Sequence, residues 1–254
     1  MLAKRIIPCL DINKERVVKG INFKNLKDIG NPLELARYYS NSGADEISFL
    51  DITASYENRK IILEFVKSVA NEVFIPLSVG GGIRTIEEIQ SILAAGAEKV
   101  SIGTSAVQNP QLIAKAANKF GKQAIVLSLD VQRSSSMKNG WEIYINGGRK
   151  PTGLDALEFA QKIENLGSGE ILLNSIDRDG TKLGYDLELI KLFNENLKIP
   201  IIASGGAGTL ENILDAFTIG GADAALVASL FHYKNYKIQE VKKYLRKHKV
   251  EVRL

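Results

Sequence analysis

An α/β barrel of eight parallel strands is the fold this sequence predicts, on three observations. Short β-rich runs alternate with helical patterns from end to end, the arrangement of parallel strands joined by helices. A length of 254 residues suits one closed (βα)8 TIM barrel. The chain also repeats itself at half its length. Gly43-Ala44-Asp45-Glu46-Ile47 is answered by Gly167-Ser168-Gly169-Glu170-Ile171, and Gly80-Gly81-Gly82 by Ser204-Gly205-Gly206, both 124 residues on. Ala97-Glu98-Lys99 and Thr104 are answered by Ala222-Asp223-Ala224 and Ser229, 125 residues on. This period predicts a single domain over 1–254 built from two fused (βα)4 half-barrels, about 1–122 and 123–254, and not a short-period solenoid.

The elements follow in order. Ile6 to Asp11 reads as the first strand and ends in a carboxylate; Pro8 within it cannot donate a ladder hydrogen bond and predicts a bulge. Asn13 to Gly30 reads as a long polar loop carrying Lys14, Lys19, Lys24 and Lys27, either a closing lid or a merely solvated loop. Asn31-Pro32-Leu33-Glu34 opens a helix, with Asn as cap and Pro at the first helical position. The second strand is Glu46 to Asp51, and the third is Pro76 to Val79, running into the glycines 80–82. Thr85-x-x-Glu88 is a capping box, and Ile86, Ile89, Ile92 and Leu93 give its helix an apolar face that ends at Gly96. The fourth strand is Lys99 to Ile102, and Asn109-Pro110 opens the next helix. The fifth, Ala124 to Asp130, delivers a second carboxylate 119 residues after the first. An insertion at about 134–150 breaks the alternation: Trp141 to Ile145 alternates in polarity and Asn146-Gly147 is a hairpin turn. Glu170 to Asn174, Ile201 to Ala203 and Ala224 to Val227 complete the eight.

Composition excludes several function classes. No apolar run approaches the roughly 18 residues of a membrane span, and Met1 to Arg5 leads into a strand without a signal peptide. The one cysteine has no partner for an internal disulfide and fits a reducing compartment. The expected location is cytoplasmic, or the plastid stroma for an organelle-encoded chain. Much of the net charge of +4 sits after Tyr233, where it reads as a solvated helix face. There is no zinc spacing, helix-turn-helix or aromatic–basic RNA pattern, so nucleic acid is not an expected partner, and no metal or cofactor is called for.

Strand periodicity assigns faces, since side chains alternate and one face of a barrel strand points into the bore. With Asp11 inward, Cys9, Ile7 and Arg5 are inward too. The same rule groups Glu46 with Ser48 and Leu50, Lys99 with Ser101 and Gly103, Ser128 with Asp130, and Glu170 with Leu172 and Asn174. Arg5, Glu46, Lys99 and Glu170 then ring the amino end of the bore, as a structural salt-bridge floor or as a gate over an opening. Ser48, Ser78, Ser101 and Ser128 line its middle, where barrels ordinarily place bulky aliphatics. Those hydroxyls either serve a small polar passenger or bond to neighbouring backbone.

At the carboxyl end, where barrel enzymes place their chemistry, Asp11 and Asp130 stand on opposite sides. A carboxylate pair across a substrate suits general acid and general base work. Gly80-Gly81-Gly82, Gly103-Thr104, Ser204-Gly205-Gly206 and Ala228-Ser229 form two matched pairs of small-residue turns. Such turns present backbone N–H groups and helix starts to oxyanions, which predicts a small substrate carrying a phosphate at each end.

The segments Ile7–Asp11, Val17-Val18-Lys19-Gly20, Leu50–Ser55, Val79–Ile83, Asp177-Arg178-Asp179-Gly180-Thr181 and Ala203–Gly208 together resemble the cyclase subunits of imidazole glycerol phosphate synthase, over the whole chain. The resemblance implies an enzyme of histidine biosynthesis, a lyase working as a heterodimer with a glutaminase docked on the amino-terminal face of the barrel. Ammonia from the glutaminase attacks a bisphosphorylated ribulosyl-formimino-aminoimidazole-carboxamide ribotide, giving imidazole glycerol phosphate and an aminoimidazole carboxamide ribotide. It implies Asp11 and Asp130 as the acid/base pair, Lys19 on the closing loop, and Asn174 near the active centre. It implies phosphate contacts at Gly82, Gly103, Thr104, Asp179, Gly180, Ser204, Gly206, Ala228 and Ser229. Arg5, Glu46, Lys99 and Glu170 become its ammonia gate. Gly103 stands where that family usually has Asn, Asn174 where it has Thr, Gln132 where it has a basic residue, and Glu98 where it has Asp. Rival expectations are a paralogue feeding ammonia to another acceptor, the related phosphoribosyl isomerase, and a non-catalytic barrel that only binds a glutaminase.

Overall fold

The computed structural model describes residues 2–13, 16–21, 24–52, 63–233 and 235–254, with backbone alone for 19–21 and 24–26. Eight parallel strands close on themselves in the order β1 (Arg5–Asn13), β4 (Ile47–Asp51), β5 (Leu77–Gly80), β6 (Lys99–Ile102), β7 (Ile125–Arg133), β10 (Glu170–Ser175), β11 (Ile201–Ser204) and β12 (Ala224–Val227), with β12 returning to β1. Two antiparallel hairpins grow from the barrel at matching places in the two halves. β2 (Arg16–Ile21) and β3 (Lys24–Gly30) extend β1, and β8 (Trp141–Ile145) and β9 (Lys150–Asp155) extend β7.

The second hairpin was legible: Asn146, Gly147 and Gly148 take φ of 58°, 65° and 73° in a four-residue turn between the paired Ile145 and Lys150, closed by the Arg149 N–H donating to the Ile145 carbonyl at 3.1 Å. The first corrects the reading of Asn13 to Gly30 as a loop. Its lysines mask a strand whose Val17 and Val18 are buried and β-branched, the residue type that packs best on a pleated surface. Lys14 and the side chains of Lys19 and Lys24 lie outside the described residues, as do Thr53, Ala54 and Ser55. The bulge expected at Pro8 is absent. Arg5 to Pro8 pair in register with Ala224 to Val227, and the ladder to β4 begins only at Cys9, one residue past the imide nitrogen.

Helices cover the outside: α1 (Pro32–Asn41), α2 (Leu63–Ala70), α3 (Ile86–Ala94), α4 (Thr104–Gln108), α5 (Gln111–Phe120), α6 (Ala156–Leu166), α7 (Leu187–Asn196), α8 (Leu210–Thr218), α9 (Ser229–His232) and α10 (Ile238–Lys247). Their starts are written in the sequence. Asn31 Oδ1 accepts from the Leu33 and Glu34 backbone at 2.9 and 3.2 Å. Thr85 and Glu88 close a reciprocal capping box, which Thr209 and Asn212 repeat 124 residues later. A cap of this kind is worth about 1 kcal/mol.

Two apolar cores result from the alternation. One lies between sheet and helices and takes Ile6, Leu10, Phe49, Val79, Val100, Leu127 and Ile171. The other fills the bore with Ile7, Cys9, Val126, Leu172, Ile202 and Leu226. Each fully buried aliphatic side chain contributes roughly 1.5–3 kcal/mol, so a slip of one residue in any strand would exchange the two sets at prohibitive cost. The basic tail is not wholly solvated as expected: Lys242 of α10 is buried, with Nζ 2.7 Å from Asp45 Oδ1. No helix of the described residues is long and apolar enough to cross a membrane.

Candidate active site

At the carboxyl ends of the strands one pocket collects Asp11, Gly82, Gly103, Thr104, Asp130, Asn174, Asp179, Gly180, Ser204, Gly206, Ala228 and Ser229. Each sits there because its strand or turn ends there. Asp11 leaves β1 and Asp130 leaves β7, and β-ladder registry gives each carboxylate two lateral neighbours. Asp11 is level with Leu50 and Leu50 with Gly80. Asp130 is level with Asn174 and Asn174 with Ser204. Leu50 and Asn174 are 124 residues apart, as are Gly80 and Ser204, so the two rows are one row used twice.

Their chemistry differs. Asp11 Oδ1 lies 3.4 Å from the Cys9 thiol, a weak donor. Asp130 Oδ1 accepts from Asn174 Nδ2 at 2.9 Å. Desolvation of its half-buried place in the pocket wall pushes Asp130 up to about 6; the Asn174 hydrogen bond opposes this, the charge of Asp179 adds to it, and Arg149 opposes it. A carboxyl so placed holds a proton into the range where a general acid is useful.

Two glycine cradles flank the pair. Gly81 and Gly82 take φ of 101° and 71°, and Gly205 and Gly206 take 89° and 106°, values that favour glycine over residues with a Cβ. A Cβ on Gly81 would stand 2.2 Å from the Asp51 carbonyl oxygen, and one on Gly206 2.2 Å from that of Gly184. Beside them the short helices α4 and α9 begin after Gly103 and Ala228. The hairpin tip reaches the first cradle, where Asn146 N–H donates to Thr104 Oγ1 at 2.9 Å. The second is tied to β1: His232 Nε2 lies 2.9 Å from the Cys9 carbonyl, and its Nδ1 lies 2.7 Å from the Tyr39 hydroxyl. A carbonyl only accepts, so Nε2 carries the proton.

The predicted floor residues are apart from this pocket, at the amino end of the bore, and they form a closed ring. Arg5 Nη1 and Nη2 reach Glu46 Oε2 and Glu170 Oε1, both at 3.0 Å; Lys99 Nζ reaches Glu46 Oε2 at 2.8 Å and Glu170 Oε2 at 3.0 Å. Burial pushes Glu46 above the usual carboxylate range, against the pull of Lys99 and Arg5. Burial alone would lower Arg5, yet Glu170 and Glu46 outweigh it and hold the guanidinium above its ordinary value. Glu46 Oε1 and, higher in the bore, Ser101 Oγ are buried without a hydrogen-bond partner among the described residues. For Ser101, bonding to neighbouring backbone is therefore not the reason for the hydroxyl.

The pocket also takes residues that sequence reasoning did not single out for the site: Asp51, Tyr144, Gly147 and Lys182. Tyr144 enters because β8 pairs antiparallel with β7 and stands it opposite Asp130, a pairing that the predicted hairpin turn does not contain. Lys182 had no signal; it enters through a loop turned by its own left-handed φ of 60°. The side chain of Lys19 lies outside the described residues. Among these, no group of three or more His, Cys, Asp or Glu is placed to hold a metal ion.

The sequence matches the family model described as "Histidine biosynthesis protein" over residues 5–237. It is 56% identical, over 254 residues and 100% of both chains, to a protein of Microcystis aeruginosa (strain NIES-843 / IAM M-2473) named imidazole glycerol phosphate synthase subunit HisF.

Proposed function

The chain belongs to the histidine biosynthesis protein family, and from that premise we propose that it is the cyclase subunit of an imidazole glycerol phosphate synthase. Ammonia supplied by a glutaminase subunit attacks the bisphosphorylated ribulosyl-formimino ribotide, and ring closure with cleavage gives imidazole glycerol phosphate and aminoimidazole carboxamide ribotide. The observation that carries the reading is the pair of equivalent rows, each ending in an aspartate, between two equivalent glycine cradles in one pocket. Cradles at Gly82, Gly103 and Thr104 and at Gly206, Ala228 and Ser229 seat one phosphate each, the second with Asp179-Gly180 beside it. Their separation fixes the substrate across the bore and places its reacting centre between Asp11 and Asp130, which removes much of the entropic part of the barrier.

Within the pair, Asp130 acts as the acid, because desolvation and Asp179 raise its affinity for a proton. Asp11, with the Cys9 thiol 3.4 Å from its Oδ1, takes the proton as base. Different neighbours for two carboxylates let one site perform both tasks.

Arg5, Glu46, Lys99 and Glu170 are the ammonia gate, and the serine wall above them is the conduit. Around that floor Leu2, Phe74 and Ile219 are 91%, 89% and 55% exposed, each just ahead of a barrel strand. Apolar side chains so placed around a charged centre suit the glutaminase subunit as occupant of this face.

Purified chain, the ribulosyl ribotide and ammonium salt at high pH test the reading without the partner. Formation of imidazole glycerol phosphate is expected. Absence of turnover across a wide range of protein concentration sinks it.

A further inference from the structure

The row that ends at Asp130 holds a hydrogen-bonded chain that the row ending at Asp11 has no atoms to form. Ser204 Oγ–H donates to Asn174 Oδ1 at 3.1 Å, and Asn174 Nδ2 donates to Asp130 Oδ1 at 2.9 Å. An ionised carboxylate only accepts, so the NH2 end of the amide faces Asp130, and Asn174 Oδ1 is left to take the Ser204 hydroxyl. With Oδ1 engaged, proton transfer falls to Oδ2. In the first half the same positions are Leu50 and Gly80. A Cβ on Gly80 would stand 2.9 Å from Leu50 Cδ2, so the leucine occupies the space that the serine uses in the second half.

We propose that Asn174, oriented by Ser204, is a positioning residue that grips Asp130 through Oδ1 and presents Oδ2 to the reacting centre. The proposal rests on Asp130 acting as the proton donor. The phosphate turn that begins at Ser204 thereby also sets the geometry of the acid, one lateral step at a time across three strands. Among the described residues, the charged and titratable groups that share the pocket or its wall with Asp130 are Asp179 beyond β10, Arg149 and Tyr144 of the β8–β9 hairpin, Lys182, and Cys9, Asp11 and Asp51 across the pocket. None of them belongs to the Ser204–Asn174 chain, so the chain can be removed without altering any neighbouring charge.

The test copies the first half into the second. The double substitution Asn174→Leu with Ser204→Gly gives a packing that this backbone already tolerates at Leu50 and Gly80, and Asn174→Thr keeps a donor at the same place. In the ammonium-driven reaction, with free ammonia held saturating at each pH, the double variant is expected to lose about tenfold in kcat, with KM for the ribotide within about twofold of that of Ser204→Gly alone. Its basic limb should move up by about one pH unit, because a hydrogen bond that favours the carboxylate is gone. Asn174→Thr should restore most of both. A rise in KM with kcat and the limb unchanged would mean that Asn174 only touches substrate, and no change at all would also overturn the proposal. If the wild-type chain does not turn over, the functional reading fails on its own. Carboxyl 13C NMR of Asp130, assigned with Asp130→Asn, then decides positioning: an equal midpoint in wild type and double variant overturns it.

Discussion

The two halves of this barrel share a backbone and divide the labour. Strand, cradle, capping box and hairpin recur at nearly constant spacing, yet the row beside Asp11 is apolar where the row beside Asp130 is polar. The floor is divided as well. Glu46 and Glu170 are equivalents and both halves supply one, but both cations come from the first half, Ala124 and Ala224 standing at the positions that answer Arg5 and Lys99. Duplication gives a symmetric frame, and a few substitutions that leave the backbone alone convert it into a directional catalyst. Two carboxylates in identical settings would titrate alike, and acid/base work needs them unlike.

The largest expected effect breaks the chemistry in either half. Asp11→Asn and Asp130→Asn should each cost about 10²–10⁴-fold in ammonium-driven turnover while circular dichroism shows an unchanged fold. Near-normal rates in either variant would remove that residue from the mechanism. Next is the floor, where the first half holds both cations. Lys99→Met leaves Glu46, 2% exposed at its side chain, with Arg5 alone. A loss of about 3 kcal/mol is expected in urea unfolding, since breaking a buried pair strands a charge. A loss below about 0.5 kcal/mol would reduce the ring to surface electrostatics.

A smaller effect separates the two rows sterically. Gly80→Ser should cost about 2 kcal/mol by overpacking against Leu50 and Ser101, whereas Ser204→Gly, its mirror image, should fall within about 1 kcal/mol of wild type. Equal costs would contradict the account of Leu50 as occupant of the serine's space. The smallest prediction concerns pH. The folded state raises Asp130 from 3.8 to about 6, so above pH 6 the ionised carboxylate subtracts from stability, and protonation on going below 6 restores it. Solvent at this half-buried site screens most of the roughly 3 kcal/mol that such a shift represents, so Asp130→Asn should be more stable than wild type by about 1 kcal/mol at pH 8, the difference vanishing by about pH 4. A variant less stable at pH 8 would reverse the sign.

Much of this was legible before any coordinates. The eight strands, the repeat, both aspartates and the four floor residues follow from period-2 alternation and from spacing, because a strand's face is fixed once one inward residue is known. Boundaries shifted where neighbours decide them: β1 and β7 run on to Asn13 and Arg133 because each is continued by a hairpin strand. The hairpin at Arg16–Gly30 was hidden, since lysine-rich strands on a barrel rim look like loop. Lys242 was hidden for the opposite reason, since a buried lysine is written like any other and only its partner Asp45, 197 residues away, makes burial tolerable. The Ser204–Asn174–Asp130 chain depends on lateral registry between strands 30 and 44 residues apart, which a single strand's pattern does not contain.

The claim that both halves together make one acid/base device is tested most directly by a double-mutant cycle on ammonium-driven kcat with Asp11→Asn, Asp130→Asn and the two combined. If the aspartates act as a unit, the combined variant should lose little more than either single variant. Losses that multiply, the double variant falling by the product of the singles, would contradict the account and make the two carboxylates independent contributors.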